Sequence, residues 1–88
     1  MINLEILKLI YCTDDGLLHL SNLTNLTNLT NLTILELMYS TEITDNGLAH
    51  LSKLTNFEKL DLKYCNKITD VGVINLKKFL KNLVININ

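Results

Sequence analysis

The sequence predicts an α/β solenoid of about four strand–helix turns, and three observations in its 88 residues predict it. The first is a repeat. "LTILELMYSTEITDNGLAHLSKLTN", residues 32–56, aligns with "FEKLDLKYCNKITDVGVINLKKFLK", residues 57–81, at a period of 25. The second is alternation in the front half of each copy: "LEL", "LDL" and "INI". Alternation over that length marks a short strand with one buried face. The third is the back half, which opens on Thr-Asp-x-Gly and continues with Leu48, Leu51 and Leu54 at helical spacing. One such unit cannot bury its own leucines, so neighbouring units stack.

The elements follow in order. "LEILKLIYC" opens the first copy, with Leu7 and Leu9 on the two inward positions that Leu35 and Leu37, then Leu60 and Leu62, occupy later. "LVININ" opens a partial fourth copy, with Ile85 and Ile87 there. The expected organisation is one domain over residues 1–88, with repeats at about 4–31, 32–56 and 57–81 and a partial repeat at 82–88. Asp45 and Asp70 stand where each helix begins, and both are good N-cap residues whose charge complements the helix dipole.

Composition narrows the function. The chain is 48% hydrophobic and 19% charged, which is a globular balance. A net charge of −1 without a basic stripe speaks against nucleic acid. No apolar run approaches a membrane span, and "MINLEILKLIYC" lacks the layout of a signal peptide. Two cysteines without close spacing form neither a disulfide framework nor a zinc site, so a reducing, cytoplasmic setting is expected.

The pattern "LxxLxLxxC…ITDxGLxxL" resembles the cysteine-containing leucine-rich repeats of F-box proteins. "TDNGLAHLSKLTNFEKLDL" is also similar to repeat proteins of bacteria that live in eukaryotic cells, which would place an effector in the host cytosol. The resemblance spans nearly the whole chain. It implies a right-handed leucine-rich-repeat solenoid, with a parallel sheet on the concave side and helices on the convex side. It also implies a non-catalytic module that binds a protein partner on the concave face. Family members in ubiquitin ligases carry a separate F-box, for which these residues leave no space. A role as the substrate-recognition part of a ligase adaptor therefore rests on analogy alone.

On that architecture the outward strand positions are Ile6, Lys8 and Ile10, then Ile34, Glu36 and Met38. Lys59, Asp61 and Lys63 follow, and then Val84, Asn86 and Asn88. Lys8 beside Glu36 is favourable and Glu36 beside Asp61 is not. Tyr11, Tyr39 and Tyr64 come next on three successive rungs and form a column. The expected partner-binding residues are this column with Ile10, Met38, Lys63, Lys8, Glu36 and Asp61. Tyrosine suits interfaces because it combines wide apolar area with few rotatable bonds and a polar tip. The alternative is that the rings pack on the neighbouring loop and bind nothing. Exposed Ile10 and Met38 favour the interface reading.

Cys12, Ser40 and Cys65 share one inward position where a small side chain is needed. Cys12 and Cys65 lie two rungs apart, about 10 Å by sheet spacing, so free thiols are expected. His19 and His50 match within the "GLxHL" unit, and repeat inheritance explains them better than a metal pair. No nucleophile–base pair or phosphate loop stands apart from the repeat, so neither an enzyme nor a cofactor is expected.

The first copy departs from the others. Cys12 to Gly16 is three residues shorter than Ser40 to Gly47, and Gly16 to Leu35 is six longer than Gly47 to Leu60. The surplus is "NLTNLTNLTNLT", residues 22–33, which multiplies the Leu-Thr-Asn-Leu phrase that joins helix to strand. Leucines three apart drift around an α-helix, and Asn and Thr are poor helix formers. A helix to about Leu26 and an irregular connection to the strand near Leu35 are predicted. Asn22, Asn25, Asn28 and Asn31 each open an Asn-Leu-Thr acceptor motif. Crowding and the inward need for the leucines argue against sugar attachment. Strands at both ends without polar caps suggest a second role: a fragment or degenerate array that stacks end to end on itself.

Overall fold

A computed structural model describes residues 6–26, 32–54 and 57–87. The chain alternates strand and helix: β1 (Ile6–Ile10), α1 (Asp14–Leu26), β2 (Ile34–Met38) and α2 (Asp45–His50), with a 3₁₀ turn at Leu51–Lys53. β3 (Lys59–Asp61), α3 (Asp70–Phe79) and β4 (Val84–Asn86) complete it. The strands form one parallel sheet in the order β1-β2-β3-β4. Leu7, Leu35, Leu60 and Ile85 share one register position, as the repeat alignment predicts. This is the α/β leucine-rich solenoid that the repeat implies.

The core lies between sheet and helices. Leu35, Leu37, Leu60 and Leu62 point inward from the central strands and are buried with Leu17, Leu48 and Leu51. Leu7, Leu9 and Ile85 are only partly buried, because β1 and β4 are outer strands with a neighbour on one side. Ile87, expected on the inward position after Ile85, is half-exposed just past the end of β4.

Leucine spacing decides how each helix ends. Leu48, Leu51 and Leu54 recur every third residue, and all three are buried. Side chains three apart eclipse in a 3₁₀ helix but drift in an α-helix. The continuous helix expected through Leu54 therefore changes to a 3₁₀ turn at Leu51. In the next copy the buried residues are Leu76 and Leu80, four apart, and α3 stays α-helical to Phe79. α1 is described as far as Leu26. Leu32, the last leucine of the triplet tract, is buried as expected, while residues 27–31, the side chains of the earlier tract leucines and outward Asn88 lie outside the described residues.

The helix starts correct one expectation. Asp45 and Asp70 are not N-caps; Thr44 and Thr69 are, with extended backbone, and each Asp is the first helical residue. The carboxylates of Asp14 and Asp45 reach across to the next turn instead. Thr44 donates its backbone N–H (2.8 Å) and its hydroxyl (2.6 Å) to the Asp14 carboxylate. Thr69 does the same toward Asp45, at 2.9 Å and 2.5 Å. Each Asp thus ties its own helix to the start of the following one. Hydrogen bonds to a carboxylate contribute about 1.5–3 kcal/mol.

The joint also explains the invariable glycine of Thr-Asp-x-Gly. No glycine has positive φ. Instead, a Cβ added to Gly47 would overlap the Asp14 carboxylate, and one added to Gly72 would overlap that of Asp45. Replacing glycine by alanine inside a helix normally stabilises by about 0.5–1 kcal/mol. Here the sign should reverse: Gly47→Ala lowers stability by about 1–3 kcal/mol, as overpacking does. Urea unfolding of Gly47→Ala, Asp14→Ala and the double variant measures this. Because both changes act on one contact, the double variant should lose less than the two single losses added together.

Candidate functional site

The outward strand positions carry Lys8, Ile10, Glu36, Met38 and Asp61, and Tyr11, Tyr39, Lys63 and Tyr64 are exposed just beyond the strand ends. Strand alternation turns Ile6, Lys8 and Ile10 outward while Leu7 and Leu9 turn in. Ile10 and Met38 are exposed on adjacent rungs in the same register. Lys8 Nζ lies 3.4 Å from Glu36 Oε2, the favourable cross-strand pair. Glu36 stands opposite Asp61, as the register requires, and Asp61 Oδ1 accepts the backbone N–H of Lys63 at 3.0 Å. That bond gives the Asp61 carboxylate a partner where its strand neighbour offers only like charge.

The tyrosine column is present, with a backbone feature that residue spacing did not reveal. Tyr11, Tyr39 and Tyr64 all have positive φ, at 57°, 54° and 68°. A bulky side chain rarely occupies the left-handed region. The kink directly follows β1 and β2, and comes three residues after β3; in each case the next residue, Cys12, Ser40 or Cys65, turns inward. It also aligns the rings. Tyr39 and Tyr64 stack with centroids 5.0 Å apart and planes 10° apart, and Tyr11 lies 6.4 Å from Tyr39 at 36°. The inter-strand spacing of about 4.8 Å sets that separation. The rings stay accessible: Tyr11 is 76% exposed, Tyr39 46% and Tyr64 44%. Each ring packs on another ring, so the packing role and an accessible surface coexist.

Below the rings, the small-residue position forms a polar seam. Ser40 is fully buried; its Oγ accepts the Cys12 N–H at 2.9 Å and donates to the Met38 carbonyl. The Cys65 thiol is buried and donates to the Leu37 carbonyl at 3.6 Å. Both cysteines are free thiols. Burial is the main cause that raises both thiol pKa values above 9.0, with the Asp14 charge adding for Cys12 and that of Asp61 for Cys65. They are therefore protonated near neutrality and poor nucleophiles.

Among the described residues, no group of three or more His, Cys, Asp or Glu could hold a metal ion. His19 is exposed on α1 and His50 half-buried on α2, at matching repeat positions. No helix among the described residues is long and apolar enough to cross a membrane.

The family model "Leucine Rich repeat" matches residues 28–52 and 53–77, more than half of the chain. The chain belongs to the leucine-rich repeat family. The two matched units abut at a 25-residue period, four residues out of phase with the boundaries drawn at 32–56 and 57–81. Leucine-rich repeats are generally non-catalytic folds that bind protein partners. No curated protein matches the chain.

Two outcomes are expected. Left-handed backbone favours glycine, so Tyr39→Gly relieves strain while losing the ring contacts, whereas Tyr39→Ala loses the contacts and keeps the strain. Denaturant midpoints should rank wild type above Tyr39→Gly and Tyr39→Gly above Tyr39→Ala, with Tyr39→Ala lower by about 1–3 kcal/mol. Second, raised thiol pKa values mean the folded chain holds those protons after the unfolded chain releases them. Stability should therefore be constant below the unfolded thiol value and fall as pH rises through the folded one. Cys65→Ser keeps the seam polar, as Ser40 does one turn earlier, and should lessen that alkaline fall in melting curves above pH 9, leaving the part that Cys12 contributes.

Proposed function

We propose that the chain is a non-catalytic interaction module that takes a protein partner on the open, concave face of its sheet. The observation that supports this most directly is the accessible stack of Tyr11, Tyr39 and Tyr64 beside exposed Ile10 and Met38. Stacked rings form a rigid apolar wall with hydroxyl tips, and little side-chain entropy remains to be lost on contact. Lys8, Glu36, Asp61 and Lys63 border the wall with both signs of charge, which suits the mixed polar rim of a protein interface. The solenoid repeats one address per rung, so an extended partner segment lying across the strands would meet tyrosine at three successive steps.

Tyr39→Gly removes the ring while relieving the left-handed strain, with modest loss of fold. Tagged wild type, Tyr39→Gly with Met38→Ala, and the helix-side control Lys78→Ala are compared for capture of a protein from lysate, followed by titration of what is captured. Tyrosine anchors at interfaces typically contribute about 2 kcal/mol. The face variant should bind at least about tenfold more weakly while the control matches wild type. Equal affinity of all three, or no captured protein at all, would count against a partner on this face.

A further inference from the structure

We propose that the groove between α2 and α3, on the helix side of the sheet, takes an aliphatic side chain of a partner protein together with its flanking peptide groups. The joint from Asp45 to Thr69 holds the two helices side by side. The Asp45 carboxylate occupies the space beside Gly72, so no side chain can rise from that position. On the facing wall stands Ala49, with only a methyl group. Between them lies a groove of about 200 Å³, lined also by Asn46, Ser52, Asn75 and Leu76. A cavity of about 150 Å³ accepts a benzene-sized molecule, whereas cofactor and drug sites begin at about 300 Å³. The groove therefore has room for one large side chain. It lies between neighbouring helices, so a further turn stacked beyond α3 would leave its α2 wall and its floor as they are.

The repeat itself indicates what fits there. Aligning the copies on Thr-Asp-x-Gly sets Leu18 of α1 on Ala49 of α2. Leu18 is half-buried, while Ala49 is exposed. The earlier turn thus carries a leucine where the later one leaves a methyl group and open space. Leu76, Val71 and Phe79 make the α3 wall apolar, which suits an aliphatic side chain. The polar groups match what accompanies a side chain on a peptide. Asn46 stands on one wall and Asn75 on the other, and among the described residues neither side-chain amide has a hydrogen-bond partner. An amide offers a donor and an acceptor together, the complement of a peptide group. Charge decides against an anion: Asp45 lines the groove and, among the described residues, no lysine does. The occupant is therefore a neutral aliphatic residue within a chain. The site lies across the sheet from the tyrosines and rests on none of them.

N-acetyl-leucinamide, one aliphatic side chain between two amide groups, is the probe. It is titrated into the isotope-labelled full chain to about 100 mM while the backbone N–H signals are followed, because a ligand of this size binds in the millimolar range. The signals of Asn46, Ala49, Gly72 and Asn75 should shift and saturate. N-acetyl-glycinamide, which lacks the side chain, should bind at least about tenfold more weakly. The anion N-acetyl-leucine should bind more weakly than the amide, through repulsion by Asp45. Ala49→Leu reproduces the Leu18 turn; it should fold with a raised urea midpoint and lose at least about tenfold in affinity. Asn46→Ala combined with Asn75→Ala should keep the fold and lose at least about threefold. Lys78→Ala, outside the groove, should bind the probe as wild type does. Shifts that fail to saturate, shifts that centre on Met38 and Tyr39, equal binding of N-acetyl-glycinamide, or full affinity in Ala49→Leu would each overturn the proposal.

Discussion

The structure depends on a carboxylate that serves the next repeat rather than its own helix. Stacked strands alone give a sheet whose turns share hydrogen bonds only along the front. Asp14 and Asp45 fasten the back, where each accepts two hydrogen bonds from the threonine that starts the following helix. The helix start and the inter-repeat contact are therefore one device. Threonine caps, aspartate bridges and glycine makes room for the bridge. A side chain in place of the glycine would meet the carboxylate that bridges the two helices.

The front of the molecule solves a different problem. Each strand must end abruptly so that the next side chain can enter the seam at Cys12, Ser40 and Cys65. A left-handed residue makes that corner, and in this chain it is tyrosine. The conformation costs of order 1–2 kcal/mol, while each ring pair returns about 0.5–1.5 kcal/mol. Tyr39 sits between two neighbours and gains from both, whereas Tyr11 has a neighbour on one side and is the most exposed of the three. A corner built from glycine would be relaxed and featureless; built from tyrosine it becomes surface with a defined shape.

The period and the inward leucines were legible because burial imposes them directly: the pattern of Leu35, Leu37, Leu60 and Leu62 states both strand and register. The cap was misread because Asp and Thr are both good caps, and local rules cannot tell which one an adjacent turn will need. A signal was present, however. Glycine recurs two residues after every Asp at a helical position, which marks a close approach from elsewhere. The change to 3₁₀ after His50 was also encoded, in leucines three apart rather than three and four. The positive φ of the tyrosines was not, because the usual markers of that conformation are glycine and asparagine. Which residues would line the open face followed from alternation alone; the ring stacking required the backbone kink.

The first turn takes 28 residues from Leu7 to Leu35 and the second takes 25 from Leu35 to Leu60, yet both strand pairs keep full register. Length on the return path is thus uncoupled from position on the sheet. A tract of identical Asn-Leu-Thr triplets can grow or shrink by one unit in a single genetic step, and the front of the molecule will not record the event. A turn longer by three residues still delivers its strand in register, so a foreign peptide spliced into such a return path should leave the sheet in frame.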